Sequence, residues 1–280
     1  LQYKPMAYTK RAPDKTVEIY GGTIKVDYYD QYHRYLVNGE KKMGVTTVTG
    51  LIDKSRALIY WATNLTRDSL LNTLQNGLAI TEMHVIEAAK LHAQRKQEAA
   101  DKGTMVHNLA EQWIKSTPKE RKEMVMPQDP EVYNGFMAFL GWVRENDVKF
   151  LASEKIVYSK ENDYIGTLDS VFTMKAEKHA IRHLGDFKTS SGVYPEMIFQ
   201  VTAYEEAEKE EEAFLVKAKK MKAKEVLPWG DKYILRFDKK IGDFEPYCIP
   251  SENHEVDFEA FKGLLCAKKR LTIIEEEMKP

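Results

Sequence analysis

Two acidic motifs near the middle of the chain constrain its fold and its chemistry more than any other feature. Gly166-Thr167-Leu168-Asp169 lies in one strand-like segment, and Asp186-Phe187-Lys188 lies in the next. Side chains two apart on a strand project from the same face, so we expect Asp186 and Lys188 on one face. A symmetric hairpin with its turn around Glu177-Lys178 would set Asp169 opposite Asp186, with their Cβ atoms roughly 4.5–5.5 Å apart.

Two facing carboxylates repel each other, and a sheet does not adopt such a pair for stability. A divalent cation between them converts the repulsion into a binding site, because carboxylate oxygens are the ligands that hard cations prefer. The sequence therefore predicts a metal site on this hairpin, and metal-dependent chemistry with it.

Composition fits a globular protein of 280 residues, with 43% apolar and 30% charged residues. This length suits one large domain, or one domain with a substantial appendage. No apolar run approaches the roughly 20 residues that span a bilayer, so we expect no membrane association and a cytoplasmic location. The net charge is −1, so contact with a nucleic acid would depend on local basic patches.

Cys248 and Cys266 lie far apart and lack the spacing of a metal knuckle. We interpret them as buried free thiols in a reducing compartment. Two cysteines cannot supply the four ligands of an iron–sulfur cluster, and none is expected. The chain also lacks a Walker-type loop, so no ATP-driven motor is predicted.

The pattern of elements predicts a mixed α/β (α+β) fold with a central mixed sheet flanked by helices. Residues 17–49 are β-rich, with a hairpin turn at Asn38-Gly39 that leads into a strand at Val45–Thr49. A helical pattern covers residues 55–101; Gly103 interrupts it, and Thr104 is a candidate N-cap for the next helix. Further helices are predicted at 132–144, 195–220 and 258–278, and strands at 148–158, 165–174, 181–188, 233–237 and 247–249.

We expect the chain to have two parts, which could also belong to one continuous domain. Residues 1–102 would form a β-rich segment with a helical arch or wall, and residues 103–280 would form the core that carries the site.

Five motifs follow one another along the chain. They are Gly103 to His107, Glu154, Gly166 to Asp169, Asp186 to Lys188, and Gln200 to Tyr204. Their order resembles that of the RecB-like branch of the PD-(D/E)XK nuclease superfamily, and is most similar to phage-type exonucleases and the mitochondrial genome maintenance exonuclease. The resemblance covers roughly residues 103–204 and implies a restriction-endonuclease-like core.

The resemblance implies a role for each of these residues. Mg²⁺ or Mn²⁺ would bind Asp169 and Asp186, with His107 and the backbone carbonyl of Phe187 as further ligands. Lys188 would orient or deprotonate the attacking water, and Glu154 would bind a second metal or anchor a water. The DNA would be held by Thr189, Ser190, Gln200 and Tyr204.

The implied function is ATP-independent hydrolysis of DNA from its ends, in phage or mobile-element replication, recombination or repair. Single-stranded ends, and recombination or single-strand-binding proteins, are the expected partners. One alternative is a structure-specific or restriction-type endonuclease, and another is a catalytically silent module that binds DNA ends.

Single residues also have simpler interpretations. Asp169 after a glycine could end a turn, and Lys188 could protect a strand edge. Glu111, one turn beyond His107, could belong to the site or only to the surface. His84 and His92 lack carboxylate neighbours in the sequence, and we interpret them as structural or exposed.

Overall fold

The computed structural model describes residues 11–175, 180–238 and 243–279, and it begins with a small antiparallel sheet. The predicted turn at Asn38-Gly39 is confirmed: both residues have positive φ (49° and 87°), and Val37 pairs with Glu40 across it. This is the two-residue turn that matches the twist of a hairpin. The strands are β1 (Lys15–Ile19), β2 (Ile24–Tyr29), β3 (Arg34–Val37) and β4 (Glu40–Lys41).

The predicted strand at Val45–Thr49 is wrong, because these residues form the short helix α1 after a two-residue strand, β5 (Met43–Gly44). The β-branched composition favours a strand. However, Val45 and Val48 lie three apart and are both buried in the core, where α1 packs on the long helix Pro195–Lys217. Tertiary burial of one helical face overrides the local propensity here.

Two long helices form an antiparallel pair, α2 (Ser55–Gln75) and α3 (Glu82–Lys115). The predicted break at Gly103 with an N-cap at Thr104 is wrong, since α3 runs through both residues. The hydroxyl of Thr104 donates to the carbonyl of Ala100 instead of capping. One glycine costs a helix only about 1 kcal/mol, which the contacts of α3 with its neighbours offset. The expected boundary between residues 102 and 103 falls inside α3.

The central sheet is mixed, as predicted, and in the described part of the chain it has six strands. Its order is β10, β9, β8, β7 and β5, with β6 on the other edge of β7. The β8–β9 and β5–β7 pairs are parallel and the others antiparallel. The strands that follow β5 are β6 (Lys149–Ser159), β7 (Tyr164–Thr173), β8 (Arg182–Lys188), β9 (Trp229–Asp238) and β10 (Asp243–Ile249).

Helices cover both faces of this sheet. The C-terminal part of α3 and α5 pack on one face through an aromatic cluster around Phe136, Phe139 and Phe187. The other face packs on α6 and α7 through residues such as Leu184, Val201 and Phe261. The helices that follow α3 are α4 (Pro118–Glu123), α5 (Pro130–Glu145), α6 (Pro195–Lys217) and α7 (His254–Glu277).

Two further expectations concern the surface. Cys248 and Cys266 are free thiols, but the prediction that they are buried is wrong, because both are exposed. Cys248 lies on the edge strand β10, and Cys266 lies on the outward side of α7, next to the buried Leu265. Within the described ranges, no helix combines the length and the apolar character that crossing a bilayer requires.

Candidate metal centre

The hairpin of β7 and β8 has the predicted register. Ser170 pairs with Gly185, and the ladder continues to Thr173 opposite Arg182. Asp169 and Asp186 are the next two residues of this register, directly beyond the last paired residues, and their carboxylates are close enough for the charge of Asp169 to act on Asp186. The expected turn residues, Glu177 and Lys178, lie outside the described residues.

The two strands separate beyond Ser170. β6 occupies one edge of β7, whereas β5 and β8 share its other edge. β5 pairs only with Tyr164 and Ile165, so in the described chain no strand pairs with this edge of β7 between Gly166 and Asp169. The backbone N–H of Phe187 instead donates to Asp169 Oδ2 at 2.7 Å. The site therefore lies in an opening between two strands.

Glu154 of β6 adds a third carboxylate to this row. Its neighbours Ser153 and Lys155 pair with Ser170 and Leu168, which places Glu154 opposite Asp169. The backbone of Glu154 has φ 51°, a left-handed conformation that is rare for residues with a side chain. Strained backbone of this kind is concentrated at functional sites.

His107 projects from α3 onto the same row. Its Nε2 lies 3.4 Å from Asp169 Oδ1 and 3.4 Å from Glu154 Oε1. The ring also meets Phe187 edge-to-face, with the ring centres 5.8 Å apart. One imidazole thus faces two of the three carboxylates.

Asp186 is fully buried and its two oxygens have different partners. Oδ2 forms an ion pair with the Lys188 ammonium, and Oδ1 accepts a hydrogen bond from Gln200 Nε2 at 3.2 Å. The same amide nitrogen donates to the hydroxyl of Tyr204 at 3.0 Å. Gln200 and Tyr204 therefore lie four apart on one face of α6, as predicted, and they reach the carboxylate row through Asp186.

Tyr204 explains why residue 166 is a glycine. A Cβ at Gly166 would lie 2.4 Å from Cε1 of the Tyr204 ring, which is itself buried. The glycine lets α6 approach the unpaired edge of β7 and brings Gln200 within reach of Asp186.

The charges of the site are unevenly distributed. Burial disfavours the charge on His107, but the hydrogen bond to Asp169 and the carboxylates around it outweigh this and raise the pKa of His107 to about 9. Burial and the charge of Asp169 raise the pKa of Glu154 to about 7. A metal and a proton therefore compete for both side chains.

The two aspartates differ in the same way. Burial acts against the charge of Asp169, but His107, Lys188 and the Phe187 N–H hold its pKa below the usual range. Burial and the charge of Asp169 outweigh the favourable charge of Lys188 and raise the pKa of Asp186 to about 7. Without a cation, the row does not readily hold three negative charges at once.

These donors fit a hard divalent cation. Among the described residues, Glu154 Oε1 is buried and has no hydrogen-bond partner, although it points towards His107. Ligand atoms of His107, Glu111 and Glu154 lie within 4.8 Å of one another, a spacing that a metal ion can bridge. Oxygen donors with one imidazole suit Mg²⁺ or Mn²⁺.

Glu111 thus lies at the site, which was one of the two interpretations that the sequence left open. It is one turn beyond His107 on α3 and forms an ion pair with Lys115. Lys115 is half-exposed, so this carboxylate can change partners without a large penalty.

The remaining predicted residues lie around the opening. The N–H of Phe187 faces Asp169, and the carbonyl of a strand residue points to the same edge as its N–H, so this carbonyl is directed to the site. Thr189 lines a cavity beside Lys188. The hydroxyl of Ser190 donates to the carbonyl of Gly192 at 2.6 Å, so its hydrogen is already used.

His84 and His92 lie on the arm formed by α2 and α3, away from the carboxylate row. His84 Nδ1 accepts the backbone N–H of Thr81 at 3.2 Å in a capping box, and His92 Nδ1 contacts the carbonyl of Ala89 at 2.9 Å. The structural interpretation of both residues is confirmed.

Sequence reasoning missed the contribution of the small N-terminal sheet. Lys15, Tyr28, Asp30, His33 and Tyr35 line a cavity together with His107, Glu154 and Asp169. Lys15 Nζ donates to the backbone carbonyl of Glu154 at 2.9 Å. No motif marks these residues, because they reach the site only through the docking of one sheet on the other.

We expect Glu154→Gln to stabilise the metal-free protein at alkaline pH. Folding raises the pKa of this carboxyl group from 4.5 to about 7, so its ionisation destabilises the folded protein. The destabilisation begins as the pH rises above about 4.5 and reaches its full size near pH 7. The gain should be absent at pH 4, grow up to pH 7 and then stay constant at about 1–2 kcal/mol. Urea unfolding in EDTA at pH 4, 6 and 8 measures it; a gain that does not change with pH would contradict the electrostatic origin.

No protein-family model matches the chain, and no curated protein matches it. What the site can do therefore follows from its own side chains. The two carboxylates of Glu111 and Glu154 and the imidazole of His107 lie close enough to hold a divalent cation. Asp169 contacts the same imidazole, and Lys188, paired with Asp186, is a cation beside them.

Proposed function

We propose that this protein is a Mg²⁺- or Mn²⁺-dependent DNA exonuclease of the PD-(D/E)XK type, which hydrolyses phosphodiester bonds from DNA ends without ATP. The observation that carries the proposal is the row of Glu154, Asp169 and Asp186 at the opening between β7 and β8, with Lys188 paired to Asp186. The row is faced by His107. The five motifs that suggested a nuclease meet in this one place.

Hydrolysis of a phosphodiester requires an activated water and neutralisation of the charge that builds up on the phosphate. A bound divalent cation supplies both, because it coordinates a phosphate oxygen and lowers the pKa of a bound water. The residues that would hold it are Asp169 and Asp186, with His107 and the Phe187 carbonyl. Glu154 and Glu111 would hold a second ion or an ordered water.

The other groups keep these ligands in place. The Phe187 N–H holds Asp169, and Gln200 holds Asp186 while it is itself fixed by Tyr204. Burial acts against the charge of Lys188, but Asp186 and Asp169 outweigh it and raise its pKa. Lys188 is thus a cation that can orient water and stabilise negative charge. Lys188 would release a proton more easily if a bound cation drew the charge of Asp186 to itself.

The choice of DNA, and the setting in phage or mobile-element replication, recombination or repair, come from the motif resemblance. In that setting the protein would work in the cytoplasm of the host, beside recombination or single-strand-binding proteins. Gln200, Tyr204 and Thr189 line the cavities at the opening where a strand would lie, and Ser190 follows Thr189 in the chain. Gln200 and Tyr204 would contact it only at its edge, because their polar groups also serve Asp186.

We expect the protein to degrade linear DNA and to leave circular single-stranded DNA intact. Both substrates carry the same phosphodiester bonds, and only the linear one offers an end. Linear and circular forms of one oligonucleotide, incubated with Mg²⁺ or Mn²⁺ and separated on a denaturing gel, measure this.

The same gel distinguishes the alternatives. Cleavage of the circle would favour a structure-specific or restriction-type endonuclease. Binding to linear ends without hydrolysis of either substrate would favour a silent end-binding module.

A further inference from the structure

Two cavities meet at the metal centre. One of about 550 Å³ lies between the N-terminal sheet and the core, and a second of about 590 Å³ lies on the other side of His107. Both are lined by His107, Asn108 and Glu154, and by Asp30 and His33 from the turn after β2. The carboxylate row is therefore at the junction of two spaces, each of the size that holds a small organic ligand.

The second cavity adjoins the arm formed by α2 and α3. Its walls are Ala99, Ala100 and Thr104 along α3, and Lys188 and Thr189 at the end of β8. From Ala99, α3 extends towards its N-terminus for about five more turns as part of the arm.

The first cavity is bounded instead by elements of the core. α1 and the β5 end contribute Gly44 and Thr46, and α6 contributes Gln200 and Tyr204. β1, β2 and β3 form the opposite wall. A strand that enters from the second cavity and crosses the metal centre would place its end here.

Two tyrosine rings form part of the wall contributed by the N-terminal sheet. Tyr28 and Tyr35 are cross-strand partners, with ring centres 4.7 Å apart and planes inclined by 32°. The Tyr35 hydroxyl is hydrogen-bonded to Thr167 Oγ1 at 2.9 Å, two residues before Asp169. The Tyr28 hydroxyl donates to Asp30 Oδ1 at 3.1 Å. The hydroxyl group of each ring thus has a partner within the protein, and both rings lie beside the carboxylate row.

Cationic side chains lie in the same cavity. Lys15 Nζ uses one N–H on the carbonyl of Glu154, and an ammonium has two more to offer. Lys115 is also part of the lining. Aromatic rings next to cations and a metal centre match a nucleotide, whose base stacks and whose phosphate is negatively charged.

We propose that the first cavity is a subsite for the terminal nucleotide of the strand, with the base against Tyr28 and Tyr35 and the backbone phosphate directed to Lys15 and the metal centre. This inference rests on the proposed nuclease function and gives it a structural reason for end preference. An end that fills the subsite is positioned at the metal centre, and a strand without an end has no terminal nucleotide to place there.

Tyr28→Leu tests the subsite, with Tyr28→Phe as the conservative variant and Tyr247→Leu on β10 as a matched control. Hydrolysis of single-stranded DNA, labelled at the 5′ or the 3′ end, gives KM and kcat for each protein. Stacking on one base corresponds to an increase in KM of about 5- to 100-fold for Tyr28→Leu. The kcat should change by less than about threefold, and the other two variants should match the wild type. An unchanged KM for Tyr28→Leu, or an equal loss in Tyr28→Phe, would overturn the subsite.

A substrate change covers the case in which Tyr28→Leu does not fold. A strand whose terminal residue lacks its base should show the same increase in KM with the wild-type protein. If Tyr28→Leu does fold, the missing base should add little to its effect, because both changes remove one contact. Wild-type KM for the abasic strand would contradict the proposal.

Failure of the proposed function is distinguishable from failure of the subsite. If the wild type degrades no DNA with any metal, the exonuclease proposal fails. The subsite is then judged by calorimetric titration with deoxyadenosine monophosphate in Mn²⁺. Binding by the wild type and by Tyr28→Phe but not by Tyr28→Leu would support it, and absence of binding by the wild type would refute it.

Discussion

Asp186→Asn abolishes metal-dependent degradation of DNA in our account, with a loss of about 10³-fold or more in rate. The carboxylate is fully buried, lies between Lys188 and Gln200, and is one of the two aspartates that we propose as metal ligands. An amide of the same shape keeps the hydrogen bond to Gln200 but removes the charge that binds the cation. The loss of several kcal/mol of transition-state stabilisation corresponds to this factor.

Rates on end-labelled DNA in excess Mg²⁺ and Mn²⁺ measure the effect, and thermal unfolding with and without metal identifies its cause. A ligand that binds the folded state raises the unfolding temperature, so both cations should stabilise the wild type and not Asp186→Asn. Asp147→Asn is the matched control, since Asp147 is about half exposed and Asn tolerates its positive φ. A fully active Asp186→Asn protein at saturating metal would refute the site assignment.

Lys188→Met lowers kcat by about 10²- to 10⁴-fold but leaves the cation site intact in our account. The range is that of a lost proton-transfer or charge-stabilising group. Because Lys188 is the cation that offsets Asp186 before metal binds, the metal-free variant should unfold at a lower temperature than the wild type. Added Mn²⁺ should raise the unfolding temperature of Lys188→Met by more than it raises that of the wild type.

Lys149→Met on β6 is the control for this variant, because Lys149 is 70% exposed and distant from the row. If Lys188→Met loses stabilisation by Mn²⁺ together with activity, Lys188 supports the metal ligands and does not act on water or phosphate. If it retains full activity, its pairing with Asp186 is structural only.

The sequence was sufficient for the part of the site that depends on local periodicity. The alternation of β7 and β8 about one turn gave the register that pairs Ser170 with Gly185, with Asp169 and Asp186 directly beyond this pair. The four-residue spacing set Gln200 with Tyr204 on α6. Both relations need only the geometry of one hairpin or one helix. The mixed central sheet followed from the order of helices and strands in the same way.

The errors lie where tertiary contacts decide. Val45–Thr49 is a helix because Val45 and Val48 bury one face, although the β-branched composition favours a strand. α3 passes through Gly103 without a break because contacts elsewhere compensate for one glycine. The left-handed Glu154 and the wall formed by Tyr28 and Tyr35 depend on how two sheets meet, which no local pattern encodes.

The measurement that tests the central claim most directly is hydrolysis of DNA labelled at its 5′ or 3′ end, followed over time in EDTA, Mg²⁺ and Mn²⁺. Wild type, Asp186→Asn and Asp147→Asn are compared at equal concentration. Our account predicts loss of linear DNA only with a divalent cation, equally in wild type and Asp147→Asn, and none in Asp186→Asn. Intact DNA with the wild type in every metal, or equal degradation by Asp186→Asn, would contradict it.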